Sequence, residues 1–154
     1  MDFDARLHEL GITLPEPAQP LAAYVPALVV GNWAFVSGQL PVENGQLLYG
    51  GKMSDNEDTQ KGYQAARLCA INCLAALRQA TGGLDRVVQV VKLTGYVASA
   101  DGFTAQPAVL NGASELMEAV FGEAGRHARA AVGVSQLPLG ALVEIEMMVK
   151  LTAE

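Results

Sequence analysis

Basic side chains are scarce in this chain. Lysine and arginine number 10 among 154 residues, against 16 aspartates and glutamates, for a net charge of −6. A surface that holds nucleic acid needs a basic face to neutralise phosphates, so that class of partner is not expected. Cysteine is scarcer still, with Cys69 and Cys73 alone. Four residues apart in a helical pattern, they share one helix face in poor geometry for a disulfide. A zinc site would need further ligands, and the two histidines, His8 and His127, stand far off in sequence. Both thiols therefore read as small core residues, and neither a metal nor another cofactor is expected. No apolar run is long enough to span a bilayer. The opening MDFDARLHEL carries aspartates where an export signal would carry basic residues, and no apolar segment follows. A reducing, cytoplasmic setting is the expectation.

What is present is a globular composition, 51% hydrophobic and 17% charged, in a length that is most simply one domain over 1–154. DFDARLHELG predicts a short helix capped by Asp2 or Asp4 and stopped at Gly11. Three prolines then prescribe an extended crossing from Ile12 to Tyr24. Gly31-Asn32 between two apolar runs predicts a hairpin of Ala27–Val30 with Trp33–Ser37. NGQLLYGGKMSDNED reads as a loop with one short strand. A helix is expected from about Thr59 to Ala80, with Tyr63, Ala66, Ala70, Cys73, Leu74 and Leu77 as its buried stripe. A strand follows, with Val87, Val91, Leu93 and Val97 pointing one way and Lys92, Thr94 and Tyr96 the other. A second helix runs from Pro107 to Phe121, and strands Ala128–Val134 and Leu142–Leu151 close the chain. This order predicts a mixed sheet with both helices on one face. In the last strand Val143, Ile145, Met147, Val149 and Leu151 form the core face. The opposite face, Leu142, Glu144, Glu146, Met148 and Lys150, is mixed, as expected of a sheet surface covered by another subunit.

One stretch stands out against the shortage of positive charge: GRHARAAVGVSQLP, Gly125–Pro138. If Ala130, Val132 and Val134 face the core, then Arg129, Ala131, Gly133 and Ser135 face a gap left by small side chains. A guanidinium at the edge of such a gap is a planar fork suited to a carboxylate. Glu144, on the following strand, is a candidate neighbour, either as a structural ion-pair partner or as the group that holds a water. Arg126 and His127 sit in the preceding turn, where they either widen the anion site or, as is commoner for such residues, are solvated. Tyr24 suits a cleft rim or packing, and Trp33 suits the core or a subunit interface.

VSGQLPV (Val36–Val42), the RxxVxVxxLP pattern of Arg129–Pro138 and the closing VEIEMMV strand resemble the RidA family, also called YjgF/YER057c/UK114. The resemblance runs from about Leu21 to Thr152, leaving 1–20 as an N-terminal extension, and points to a longer branch labelled chorismate-mutase-like or endoribonuclease. It implies an α+β, chorismate-mutase-like fold, assembled as a homotrimer with a central barrel and clefts between subunits. The implied activity is hydrolysis of reactive enamine or imine (2-imino acid) intermediates to 2-keto acids and ammonia, without a cofactor. The alternatives are a non-catalytic binder of small carboxylic acids and, less favoured, an endoribonuclease. By resemblance Arg129 clamps the substrate carboxylate and Glu144 orients the attacking water. Tyr24, Ser37, Gly38 and Asn111 complete the implied site. Two departures stand out: Ala131 occupies a position where many members carry cysteine, and the Asn111–Arg129 stretch is one residue longer than usual.

Overall fold

A computed structural model describes residues 2–17, 19–20 and 22–154 of the chain. In chain order its elements are α1 (Phe3–Glu9), β1 (Ala27–Val30), β2 (Trp33–Gln39), β3 (Val42–Glu43), β4 (Gln46–Leu47), α2 (Gln60–Thr81), β5 (Val87–Ala98), α3 (Gln106–Phe121), β6 (Ala128–Val134) and β7 (Val143–Leu151). Five strands form one sheet in the order β1-β2-β7-β5-β6. Its neighbours are antiparallel except β5 and β6, which run parallel. A parallel pair cannot be joined by a tight turn, and α3 supplies the crossover. β3 and β4 make a separate small hairpin, two short strands where one was expected, around Asn44-Gly45 with both residues at positive φ.

Both long helices cover one face of the sheet. Ala66, Ala70, Cys73, Leu74 and Leu77 of α2 are fully buried, and Tyr63 departs from that stripe. It is half-buried, with its hydroxyl donating to Glu115 on α3. Cys69 and Cys73 are buried free thiols that donate to the carbonyls of Val143 and Ile145, both at 3.5 Å. Beneath them Val143, Ile145, Met147, Val149 and Leu151 of β7 are buried, as the alternation predicts. Leu142 is buried as well, not part of an open mixed face: it precedes β7, and its amide donates to Tyr49 O at 3.0 Å.

The phase expected along β5 is broken. Val90 is buried and Val91 is not, because the pairing with β7 slips between Val87 and Gln89 and again between Val90 and Lys92. Each bulge inserts one residue, so the two together restore the original phase by Leu93. The helices approach closely at Gly112 of α3, where a methyl group would overlap the Tyr63 carbonyl of α2. At the sheet's end α1 is capped by the Asp2 carboxylate, which accepts from Ala5 N at 2.9 Å. Phe3 meets Phe121 edge-on at 4.8 Å, and Ile12 and Leu14 are buried, so the N-terminal extension closes the core.

Among the described residues no helix covers the other face of the sheet. On it Leu28, Val30, Phe35, Val132 and Met148 are exposed, and Lys150 Nζ lies 4.5 Å from the Trp33 ring. Among the described residues no helix is long and apolar enough to cross a membrane.

Candidate functional site

Strand β6 is turned over relative to the expectation. In a ladder, paired residues project to the same face. Arg129 pairs with Leu93, which is fully buried under the helices, so Arg129 rises on the helix side. Ala130 and Val132 pair with Thr94 and Tyr96 and face the bare side instead. The reason is tertiary: β6 is an edge strand, and α3, which leads into it, packs over Ala131 and Gly133 and not over Val132. Gly133 shows the proximity, since a methyl there would crowd Gln106 at the start of α3.

This places the guanidinium against α3. Arg129 Nη1 donates to Asn111 Oδ1 at 2.9 Å and to Ser114 Oγ at 3.1 Å. Asn111 and Ser114 are three residues apart, hence neighbours on one helix face. The longer stretch between Asn111 and Arg129 does not keep the asparagine from reaching it. No carboxylate among the described residues lies within 4.0 Å of Arg129, so it is not the structural Arg–Glu pair weighed from the sequence. The charge fronts an open pocket of about 360 Å³, lined also by Glu115, Glu118, Arg126 and His127. Arg126 is solvated and pairs with Glu123 at 3.6 Å. His127 is not solvated as expected. It is half-buried, with Nδ1 2.6 Å from Gly125 O and Nε2 2.9 Å from Ser114 Oγ. Burial, with the Arg129 charge adding to it, holds its pKa below the usual histidine value.

The remaining candidates lie elsewhere. Glu144 is on β7, separated from β6 by β5, and its partner Tyr96 projects to the bare face. Within one chain Arg129 and Glu144 thus stand on opposite faces of the sheet, not as neighbours across a loop. Glu144 forms a second cluster with the SGQ turn of β2. Gly38 lies directly against it, since a methyl there would overlap Glu144 Oε1 and push that carboxylate aside. Ser37 Oγ donates to Val25 O at 2.7 Å, which ties the segment bearing the exposed Tyr24 to the same corner. Partial burial, with Glu146 nearby, raises the Glu144 pKa above the usual carboxylate value. Glu146 in turn accepts from the Tyr96 hydroxyl at 2.8 Å.

The candidate residues therefore fall into two clusters, potential half-sites of one cleft: Arg129 with Asn111 on one edge, and Glu144 with Gly38, Ser37 and Tyr24 on the other face. Ser114 was missed from the sequence. Its one signal was its place three residues after Asn111, a spacing that becomes informative only once α3 is known to lie beside Arg129.

Comparison with known proteins agrees with the fold. The family model described as "YjgF/chorismate_mutase-like, putative endoribonuclease" matches residues 4–151, taking in all but the first residue of the N-terminal helix. Protein TCP17 of Trypanosoma cruzi is 46% identical over 148 residues, 96% of this chain and 92% of its own. A crystal structure from Shewanella oneidensis, called a putative endoribonuclease, superposes with a TM-score of 0.92 at 36% identity, covering 98% of this chain and 100% of its own. The 2-iminobutanoate/2-iminopropanoate deaminase of Dermatophagoides farinae is 29% identical over 138 residues, 90% of this chain and 93% of its own.

Proposed function

This chain belongs to the YjgF/chorismate-mutase-like family, and from that premise we propose that it hydrolyses small 2-imino acids to 2-keto acids and ammonia. The observation that carries the reading is the Arg129 guanidinium, which faces an open pocket and, among the described residues, is bonded only to the neutral acceptors Asn111 and Ser114. An arginine so held keeps donors and its full charge for an incoming carboxylate. The imine carbon is already electrophilic, so a clamp, an oriented water and proton transfer are what the chemistry requires. Glu144 suits a group that orients the attacking water by accepting a hydrogen bond from it.

The separation of the half-sites supports a cleft between copies, with Arg129 of one chain facing Glu144 of the next. The bare sheet face, with Phe35, Val132 and Met148 exposed, supports the homotrimer that such a cleft needs. The mite relative's printed name, an iminobutanoate and iminopropanoate deaminase, supports the substrate class. A cytoplasmic setting is part of the same proposal.

The test is keto-acid release from imines made in situ by an amino-acid oxidase. Wild-type protein is expected to accelerate it, and Arg129→Ala to raise KM by roughly 10²-fold, the loss of a charge-assisted pair. No acceleration across a panel of imino acids would defeat the proposal.

A second reading, a trimeric binder of carboxylic acids without turnover, is favoured by one fact: the Arg129 pocket is formed without Glu144. Glu144→Gln separates the two. Ligand binding should survive in both cases, whereas turnover should fall only if the protein is an enzyme. RNA cleavage is disfavoured by the net charge of −6.

A further inference from the structure

We propose that Ser114 and His127 form an acid–base pair in the Arg129 pocket, with Ser114 as the group that exchanges protons with a carboxylate-bearing ligand and His127 as the store behind it. The inference deepens the imine-hydrolysis reading and rests on it.

The geometry fixes the direction of each hydrogen bond. Gly125 O can only accept, so His127 Nδ1, 2.6 Å away, carries the proton. In the neutral ring Nε2 is then an acceptor, and the Ser114 hydroxyl 2.9 Å away donates to it. That leaves the lone pairs of Ser114 Oγ free, and one accepts from Arg129 Nη1 at 3.1 Å. A nitrogen base, a hydroxyl and a guanidinium are thus linked in series along one pocket wall. The backbone carbonyl holds the ring in the tautomer that serves as a base, the role a carboxylate plays in hydrolase triads. A positioning role for Arg129 alone would need only an acceptor at Ser114, which Asn111 already duplicates.

In this scheme a substrate carboxylate engages Arg129, bringing its imine carbon beside Ser114. Water adds to that carbon as the C=N pair moves onto nitrogen. One water proton passes to Ser114 Oγ while the Ser114 proton passes to His127 Nε2, and a carbinolamine results. The relay then runs backwards, placing that proton on the amine nitrogen. The C–N bond breaks, ammonia departs, and the hydroxyl proton leaves with it, giving the keto acid and ammonium from an iminium. No oxidant or cofactor enters the balance.

Charged groups around the imidazole come from three elements: Glu115 and Glu118 on α3, Arg126 in the preceding turn, and Arg129 on β6. The neutral ring is the working form, so acid should switch the relay off.

The experiment compares wild type, His127→Gln, Ser114→Ala and Ser114→Thr in turnover of 2-iminobutanoate from pH 5.5 to 8.5, with 2-oxobutanoate binding measured alongside. His127→Gln and Ser114→Ala should lose roughly 10²-fold in kcat, within the range for a positioned acid–base group. They should keep 2-oxobutanoate affinity within about threefold. Ser114→Thr, which retains the hydroxyl, should recover most of the turnover. Wild-type kcat/KM should fall on the acid side with an inflection below 6.5 that is absent in His127→Gln. A limb that survives that change belongs to Glu144, and the relay is then wrong. Unchanged kcat in both variants, or a loss confined to KM and ligand affinity, also overturns it, leaving the imine-hydrolysis reading intact. If wild type itself shows no turnover, both ideas fall together, and the silence of every protein in the series marks that case.

Discussion

Arg129 is conspicuous in the sequence because so little of the chain is basic, and the structure shows how it is held. Two neutral side chains hold it by one nitrogen, which leaves the rest of the fork unspent. Arg129→Lys should therefore restore little of what Arg129→Ala removes, since an ammonium keeps the charge and loses the paired donors; KM for a 2-imino acid is the measurement. Glu144 permits a prediction about stability. Its pKa in the folded chain lies above the unfolded value, chiefly through burial and secondarily through Glu146, so folding disfavours its ionised form. Whatever it contributes is present below its unfolded pKa and is lost as pH rises through the folded one. Glu144→Gln is thus expected to raise the melting temperature at pH 7 by more than at pH 4, seen in paired thermal scans. An equal change at both would show that its charge is not the cause. Of the candidate residues, Arg129, Glu144 and Gly38 were legible because a motif surrounds each, and Asn111 only through the family resemblance. Ser114 lies in no motif.

At the scale of elements, local chemistry was a good guide wherever one period ran unbroken. The Asp2 cap, the Gly31-Asn32 hairpin and the α2 stripe all follow from capping, turn and periodicity rules. It failed on β5, where two bulges cancel over six residues, because an inserted residue leaves no compositional mark. It failed on β6 for another reason. A run of alanine, glycine and valine alternates too weakly to say which side is inward, and the choice falls to the helix that packs on it. The closest helix contact offers a direct check. Gly112→Ala would press a methyl against the Tyr63 backbone, which cannot swing aside as a side chain could. A loss of about 1–3 kcal/mol in denaturant unfolding is expected, as for other overpacked sites. A neutral result would mean that α2 and α3 separate more freely than their packing suggests.

For the whole molecule, the decisive feature is asymmetry between the two sheet faces. One is sealed by α2 and α3; the other exposes Phe35 and Met148, which are cross-strand partners, beside Leu28. If that surface joins copies of the chain, light scattering should give three times the 16.2 kDa mass of a single chain. Phe35→Glu should then yield monomers with unchanged far-ultraviolet dichroism. Those monomers should also lose imine turnover, because each would hold Arg129 and Glu144 on opposite sides of its own sheet. Wild-type protein that ran as a monomer would remove the shared cleft.

By itself the sequence determined the order of the elements, the apolar face of the last strand and the identity of an unusually placed arginine. These depend on spacing along the chain and on side-chain chemistry. Only the tertiary structure decided which face of β6 carries Arg129, that Ser114 and His127 stand beside it, and that Glu144 does not. Strand alternation specifies which residues lie together, but not which side is inward; that is settled by helices packed from elsewhere in the chain.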